Sequence, residues 1–303
     1  MTFSIVARSA DGETWGVAVA SKFLAVGSVV PAAVAGIGAI ATQADANVSW
    51  KGEALSLLDD GATAAVAVDR LVADDDRPTH RQVGVVDGEG NASAHTGDDC
   101  LPWAGDLVGS GVTLQGNVLV GPEVLWAMKE SWDATRDEPD LGRRLLSALR
   151  AGDGAGGDRR GRQSAALLVV RDGAGYAGLD DVAADLRVDD HPDPCTELGR
   201  LLDLNRLYLT ASTEEEKVPL DAALRAEVEE RARSLGQRDF AAWVGSENYE
   251  MRVGLDARGD ADADDADWVD VLVLRALRAA TTTTSTTTPT TITSTTKSTT
   301  TTP

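Results

Sequence analysis

The chain has 303 residues, 43% hydrophobic and 4% aromatic, enough apolar mass for one large domain or two smaller ones. Its 49 acidic residues outnumber 28 basic ones, and the net charge of −21 opposes binding to nucleic acid or an anionic membrane, both of which demand Lys and Arg. The acidic excess is spread along the chain, in the manner of salt-adapted proteins whose carboxylates hydrate the surface.

Lysines are confined to Lys22, Lys51, Lys129, Lys217 and Lys297. Cys100 and Cys195 lack metal-type spacing and read as ordinary thiols. No basic stretch followed by an apolar run opens the chain, and no segment is long and apolar enough to span a bilayer. The expected location is cytoplasmic, with no cofactor and no metal.

Met1–Arg8 and Trp15–Lys22 are two apolar β-type runs around Ser9–Glu13, whose Asp11-Gly12 pair predicts a hairpin. Val26–Pro31 and Gly36–Gln43 read as two further strands. Helices are expected from Trp50 to Leu58, stopped at Asp59-Asp60-Gly61, and from Thr63 to Val72. Gln82–Thr96 predicts a second hairpin, and Leu107-Val108 and Val112–Leu119 continue in strand style. Helices follow at about Pro122–Asp133 and Leu141–Ala151. Gly152–Gly157 reads as a flexible loop that leads through Asp158–Ser164 into the buried-type strand Ala165–Val170. Asp185–His191 predicts a strand and Pro194–Leu209 an amphipathic helix. Most successive strands are close enough for hairpins, which predicts an α+β layered architecture of mainly antiparallel sheets. No phosphate-binding Gly loop follows a strand.

The organisation expected is a main domain over 1–210, a charged linker over 211–219 and a small accessory domain over 220–280 with little core of its own. The Thr-rich run 281–303 cannot build a core and is expected to be disordered. Asp262–Asp267 lacks the Gly and terminal Glu of a calcium loop and reads as solvated.

Chemistry points first to Thr2. Removal of Met1 would leave a hydroxyl and a free α-amine on the first strand, the pair that an N-terminal nucleophile uses as attacker and base. Lys22, at the end of the second strand, would favour an ionised form of the attacking group. Asp158–Ser164 is the densest basic motif. Its Arg159, Arg160 and Arg162, with Ser164, either clamp a substrate carboxylate or pair with local Asp to hold the loop. Asp189-Asp190-His191 reads as an ion pair or helix cap rather than a metal site, and His80 and His95 read as isolated.

Thr2–Arg8, Gly16–Phe23, Gly38–Ala44, Cys100–Gly105, Gln115-Gly116-Asn117, Gly157–Ala166 and Leu186–Pro192 together resemble the Ntn-hydrolase-like family catalogued as domain of unknown function 1028. The resemblance covers about Thr2 to Leu209, and Leu220–Leu277 resembles the peptidoglycan-binding-like domain appended in some members. It implies a four-layer αββα sandwich and an amide hydrolase with Thr2 as nucleophile and Asn117 and Gln43 as oxyanion donors. The substrate would be small or peptide-like, and anionic if the Arg loop orients it. Ser21 and Lys22 stand where proteasome-type members carry an Asp. The rival expectation is a non-catalytic scaffold that binds a ligand or partner. So flat a layered fold also leaves room for a homodimer.

Overall fold

The computed structural model describes residues 2–254 and 267–284, which divide into two units at Thr210/Ala211. The first unit begins with β1 (Thr2–Arg8) and β2 (Thr14–Ser21), paired antiparallel with Phe3 opposite Ala20. The turn between them puts Gly12 at φ +80°, left-handed backbone that glycine accepts readily. Then come β3 (Pro31–Val34), β4 (Gly38–Ala44), α1 (Trp50–Asp59) and α2 (Ala64–Ala73). Next are β5 (Arg81–Asp87), β6 (Ala92–Thr96), β7 (Gly105–Gly109) and β8 (Val112–Asn117). The unit closes with α3 (Glu123–Ala134), α4 (Leu141–Gly154), β9 (Ser164–Arg171), β10 (Val182–Val188) and α5 (Pro194–Leu209).

Two antiparallel sheets result, one in the order β10-β9-β2-β1-β8-β7 and one in the order β3-β4-β5-β6. Alternation along the strands sorts the side chains. Phe3, Ile5 and Ala7 face a cluster with Leu125, Met128, Leu145 and Leu149 of α3 and α4. Ile40, Val83 and Val85 face Trp50, Ala54 and Leu71 of α1 and α2. Val6, Val17, Val19, Ala39, Ala41 and Val86 form a third cluster from strands of both sheets. The sheets are thus covered on both faces, so a polar residue in these strands does not reach water by alternation alone.

Three expected elements differ. Val26–Ser28 is a 3-10 turn, and the strand starts only at Pro31. Ala25 adopts φ +53°, and the Val26 amide donates to Ser164 Oγ at 3.1 Å, which diverts the backbone from a sheet partner. The Gly-rich loop begins later than expected, because α4 runs to Gly154. Gly152 is buried there, and a Cβ on it would lie 2.6 Å from Met128 Cγ, so the glycine permits close approach of α4 to the α3 side of the core. Asp189-Asp190-His191 lies beyond the end of β10 rather than on a strand.

The second unit contains β11 (Lys217–Pro219), α6 (Ala222–Ser234), α7 (Phe240–Ser246), β12 (Trp268–Asp270) and α8 (Val271–Thr284). The run expected as a linker over 211–219 carries β11, which pairs antiparallel with β12. The unit has a core after all. Trp243 stacks on Phe240 and meets Tyr249 in a tilted contact, and Val228, Val244, Val269 and Leu277 are buried. Arg252, fully buried, meets Asp270 at 2.5 Å and Glu216 at 3.3 Å. Residues 281–284 of the expected tail continue α8; 285–303, and most of the Asp262–Asp267 loop, lie outside the described residues. Among the described residues no helix is long and apolar enough to cross a membrane.

Candidate functional site

Thr2 starts β1, an interior strand held between β2 and β8, with Asn117 directly opposite. Being even-numbered, its side chain shares the inter-sheet face with Ser4 and Val6. Its Oγ1 lies 3.1 Å from Ser21 Oγ, and both residues are buried.

Behind Thr2 the space between the sheets is polar. Ser4 Oγ donates to Gln43 Oε1 at 2.7 Å and accepts from Gln115 Nε2 at 2.6 Å. Gln43 Nε2 donates to Gln82 Oε1 at 2.8 Å and to the Thr2 carbonyl at 3.4 Å. Asn117 Nδ2 donates to the same Gln82 oxygen at 2.9 Å, and Gln82 Nε2 in turn donates to the Gly116 carbonyl at 2.8 Å. Each glutamine here bridges strands, so the ladder ties the two sheets together beneath the start of β1. Gly84 leaves room for it, since a Cβ there would overlap Gln115 Oε1 and Thr113 Oγ1. Gln43 and Asn117, expected as oxyanion donors, each donate a side-chain amide hydrogen to Gln82 Oε1. Asn117 also borders a separate 410 Å³ cleft with His80, Asp99 and Cys100.

Ser21 and Lys22 open onto a cleft of about 620 Å³, whose other walls include Asp153, Asp158, Arg162, Ser164 and His191. Buried Asp158 holds it together. Its carboxylate accepts from the Lys22 backbone amide at 2.8 Å and from the Arg160 amide at 2.9 Å, and pairs with Arg160 Nη2 at 3.1 Å. Lys22 Nζ donates to the Arg162 carbonyl at 3.3 Å. Arg162 pairs with Asp153 at 2.7 Å, and this hydrogen bond, reinforced by the carboxylate's charge, raises the guanidinium above its ordinary pKa. Ser164 Oγ donates to the Phe23 carbonyl at 2.6 Å and so secures the 23–26 turn.

The four residues expected to bind substrate therefore separate. Arg162 and Ser164 line the cleft, Arg160 pairs with Asp158, and Arg159 is exposed, with its backbone amide donating to the Val118 carbonyl. The basic motif is largely a self-paired loop. Ser21, Asp158 and Gln82 were not expected as site residues. Ser21 and Asp158 flank recognised positions, but no local signal separates Gln82 from a surface glutamine. At the cleft's far wall Asp190 and His191 are joined to Gln163, whose Nε2 donates to Asp190 Oδ1 at 3.2 Å and whose carbonyl accepts from the His191 amide at 2.7 Å. Beyond them Cys195 is buried, and burial first, then the charge of Asp153, pushes its thiol up to about 12. Among the described residues no group of three or more His, Cys, Asp or Glu side chains is placed to hold a metal ion.

Fold and site define a mixed α+β protein whose leading strand begins on a buried hydroxyl that meets Ser21 of a polar cleft. The chain belongs to the DUF1028 family, a family of unknown function, whose pattern matches residues 2–198 and so spans every site residue named above. A similar solved structure is that of protein SPO2555 from Silicibacter pomeroyi, described as DUF1028. It is 32% identical, the match covers 68% of this chain and 89% of that one, and the TM-score is 0.61. Anbu (ancestral beta-subunit) from Yersinia bercovieri is far more distant, with 12% identity over 70% of this chain and 99% of that one and a TM-score of 0.30. No curated protein matches the sequence.

Proposed function

We propose that the first unit is an αββα sandwich of the N-terminal-nucleophile hydrolase type and that Thr2 is its nucleophile. The observation that carries this reading is the Thr2 hydroxyl, 3.1 Å from Ser21 Oγ on the wall of the cleft and backed by the glutamine ladder. Cleavage of the Met1–Thr2 bond frees the Thr2 α-amine. The amine takes the hydroxyl proton as Oγ1 attacks an amide carbonyl. Collapse of the tetrahedral intermediate breaks the C–N bond, and the ammonium returns the proton to the departing amine. Water then hydrolyses the resulting ester by the same route and restores Thr2. Lys22 and Arg162 are the cationic side chains of the cleft, and with Arg162 matched by Asp153 the Lys22 ammonium is the group offered to a small or peptide-like amide bearing an anionic group. Gln43 and Asn117 position β1 rather than touch the reacting atoms. The second unit is the accessory domain that the sequence resemblance implies.

A second reading is a ligand-binding scaffold in which Thr2 is structural. It is favoured by the 5% exposure of Thr2. An acylating electrophile directed at amide hydrolases separates the two. The first reading expects one adduct on Thr2 that is lost in Thr2→Ala; absence of an adduct, or an adduct that persists in that variant, favours the scaffold.

A further inference from the structure

At the opposite end of β1 lies a second cleft, of about 520 Å³, between the turn after β1, the turn between β7 and β8, and helices α3 and α4. It gathers Arg8, Lys129, Arg136 and Arg144, with Glu89 and Asp133 as its acidic residues. A net positive cleft is unexpected in a chain of charge −21.

Arg144 is its anchor. The side chain projects from α4, yet the residue is only 6% exposed. The guanidinium lies over the Trp132 ring, 3.7 Å from its centroid, and donates one hydrogen bond to the Trp132 carbonyl at 3.2 Å. Its Nε is buried and has no acceptor. No carboxylate pairs with it among the described residues; Asp133 and Glu138 act on it only through their charge. Burial first, and the charge of Arg136 second, hold it below the ordinary pKa of an arginine. A buried guanidinium without a counter-ion is costly, and a bound anion would relieve that cost.

The neighbours are less committed to carboxylates than those at the Thr2 end. Lys129 pairs with Asp133 at 2.5 Å, but Arg8 donates its Nε to the Gly12 carbonyl and lies over Trp15. Arg136 is exposed at the rim. Planar donors backed by aromatic rings favour oxyanions that accept several hydrogen bonds at once.

We propose that this cleft binds a small polyvalent oxyanion, either a phosphate or a dicarboxylate, with Arg144 as the buried anchor and Arg136 and Arg8 closing over it. The site is independent of the chemistry assigned to Thr2. Calorimetric titration of the full chain at low ionic strength, with inorganic phosphate and with succinate as separate probes, tests it. Saturable binding of at least one probe is expected, and the stronger of the two identifies the oxyanion class. Arg136→Ala, a surface change that leaves the fold intact, should weaken binding about fivefold. Arg144→Gln should weaken it at least about thirtyfold, while Thr2→Ala should leave it unchanged. Absence of saturable binding by both probes overturns the proposal. So does binding that survives Arg136→Ala and Arg144→Gln, or binding lost in Thr2→Ala, which would place the anion in the first cleft.

Discussion

The two ends of β1, about 20 Å apart along the strand, handle charge in opposite ways. At the Thr2 end, Arg160 and Arg162 are matched by Asp158 and Asp153, and a carboxylate also receives the Lys22 amide. At the Arg8 end a buried arginine rests on an aromatic ring and, among the described residues, has no carboxylate partner. The richest basic motif in the sequence is thus mostly self-satisfied. The arginine short of a partner sits in a helix with nothing in its local sequence to mark it. Density of charge along a chain is a poor guide to where charge is uncompensated in space.

Changes at the Thr2 end should have the largest effects. Thr2→Ala is expected to lower amide hydrolysis by about 10³-fold or more while leaving the thermal transition in place, measured by turnover and calorimetry on the same sample. Asp158→Ala removes the acceptor for the Lys22 amide and leaves Arg160 without its partner. Chemical denaturation should register a loss of about 3 kcal/mol, with weaker labelling of Thr2. A loss near zero would mean that the loop does not depend on its internal pairs. Gly84→Ala crowds the glutamine ladder and should cost about 1–3 kcal/mol in the same assay.

The Arg8 end should respond differently. Arg144→Met removes a buried charge with no paired carboxylate but also its contact with Trp132, so without added anion its stability should stay within about 1 kcal/mol of wild type. A large loss would show that Arg144 is structural and would erase the contrast between the ends. The last effect is alkaline and is absent at neutral pH. The Cys195 thiol ordinarily ionises at 9.0 and is raised to about 12 in the fold. Its stabilising contribution is therefore complete below pH 9 and declines as pH rises from 9 towards 12. A Cys195→Ala variant should lack that part of the alkaline decline in pH-dependent unfolding.

Much of the architecture was legible because its signals are local. Asp11-Gly12 marks the first hairpin, the run Gln82–Thr96 marks the second, and apolar spacing marks most helices. What escaped was set by distant partners. Gly152 looks like loop chemistry, yet it lies within the last turn of a helix pressed against Met128. Gln43 was a candidate oxyanion donor, but nothing local marked Gln82 and Gln115 as its neighbours. They meet between the sheets because helices cover the other faces. For the same reason Asn117 and Gln43 could be placed at strand ends from sequence, but their shared acceptor on Gln82 could not. Thr2, Lys22 and the 158–164 loop were recognisable as candidates, whereas the sorting of the arginines depended on Asp153 and Asp158.

Thr2 can act with its own amine only once Met1 has been removed. Intact-mass spectrometry of the purified chain tests that removal most directly. Met1 is expected to be absent, with Thr2 as the first residue; a mature, active chain that retains Met1 would rule out the Thr2 amine as base.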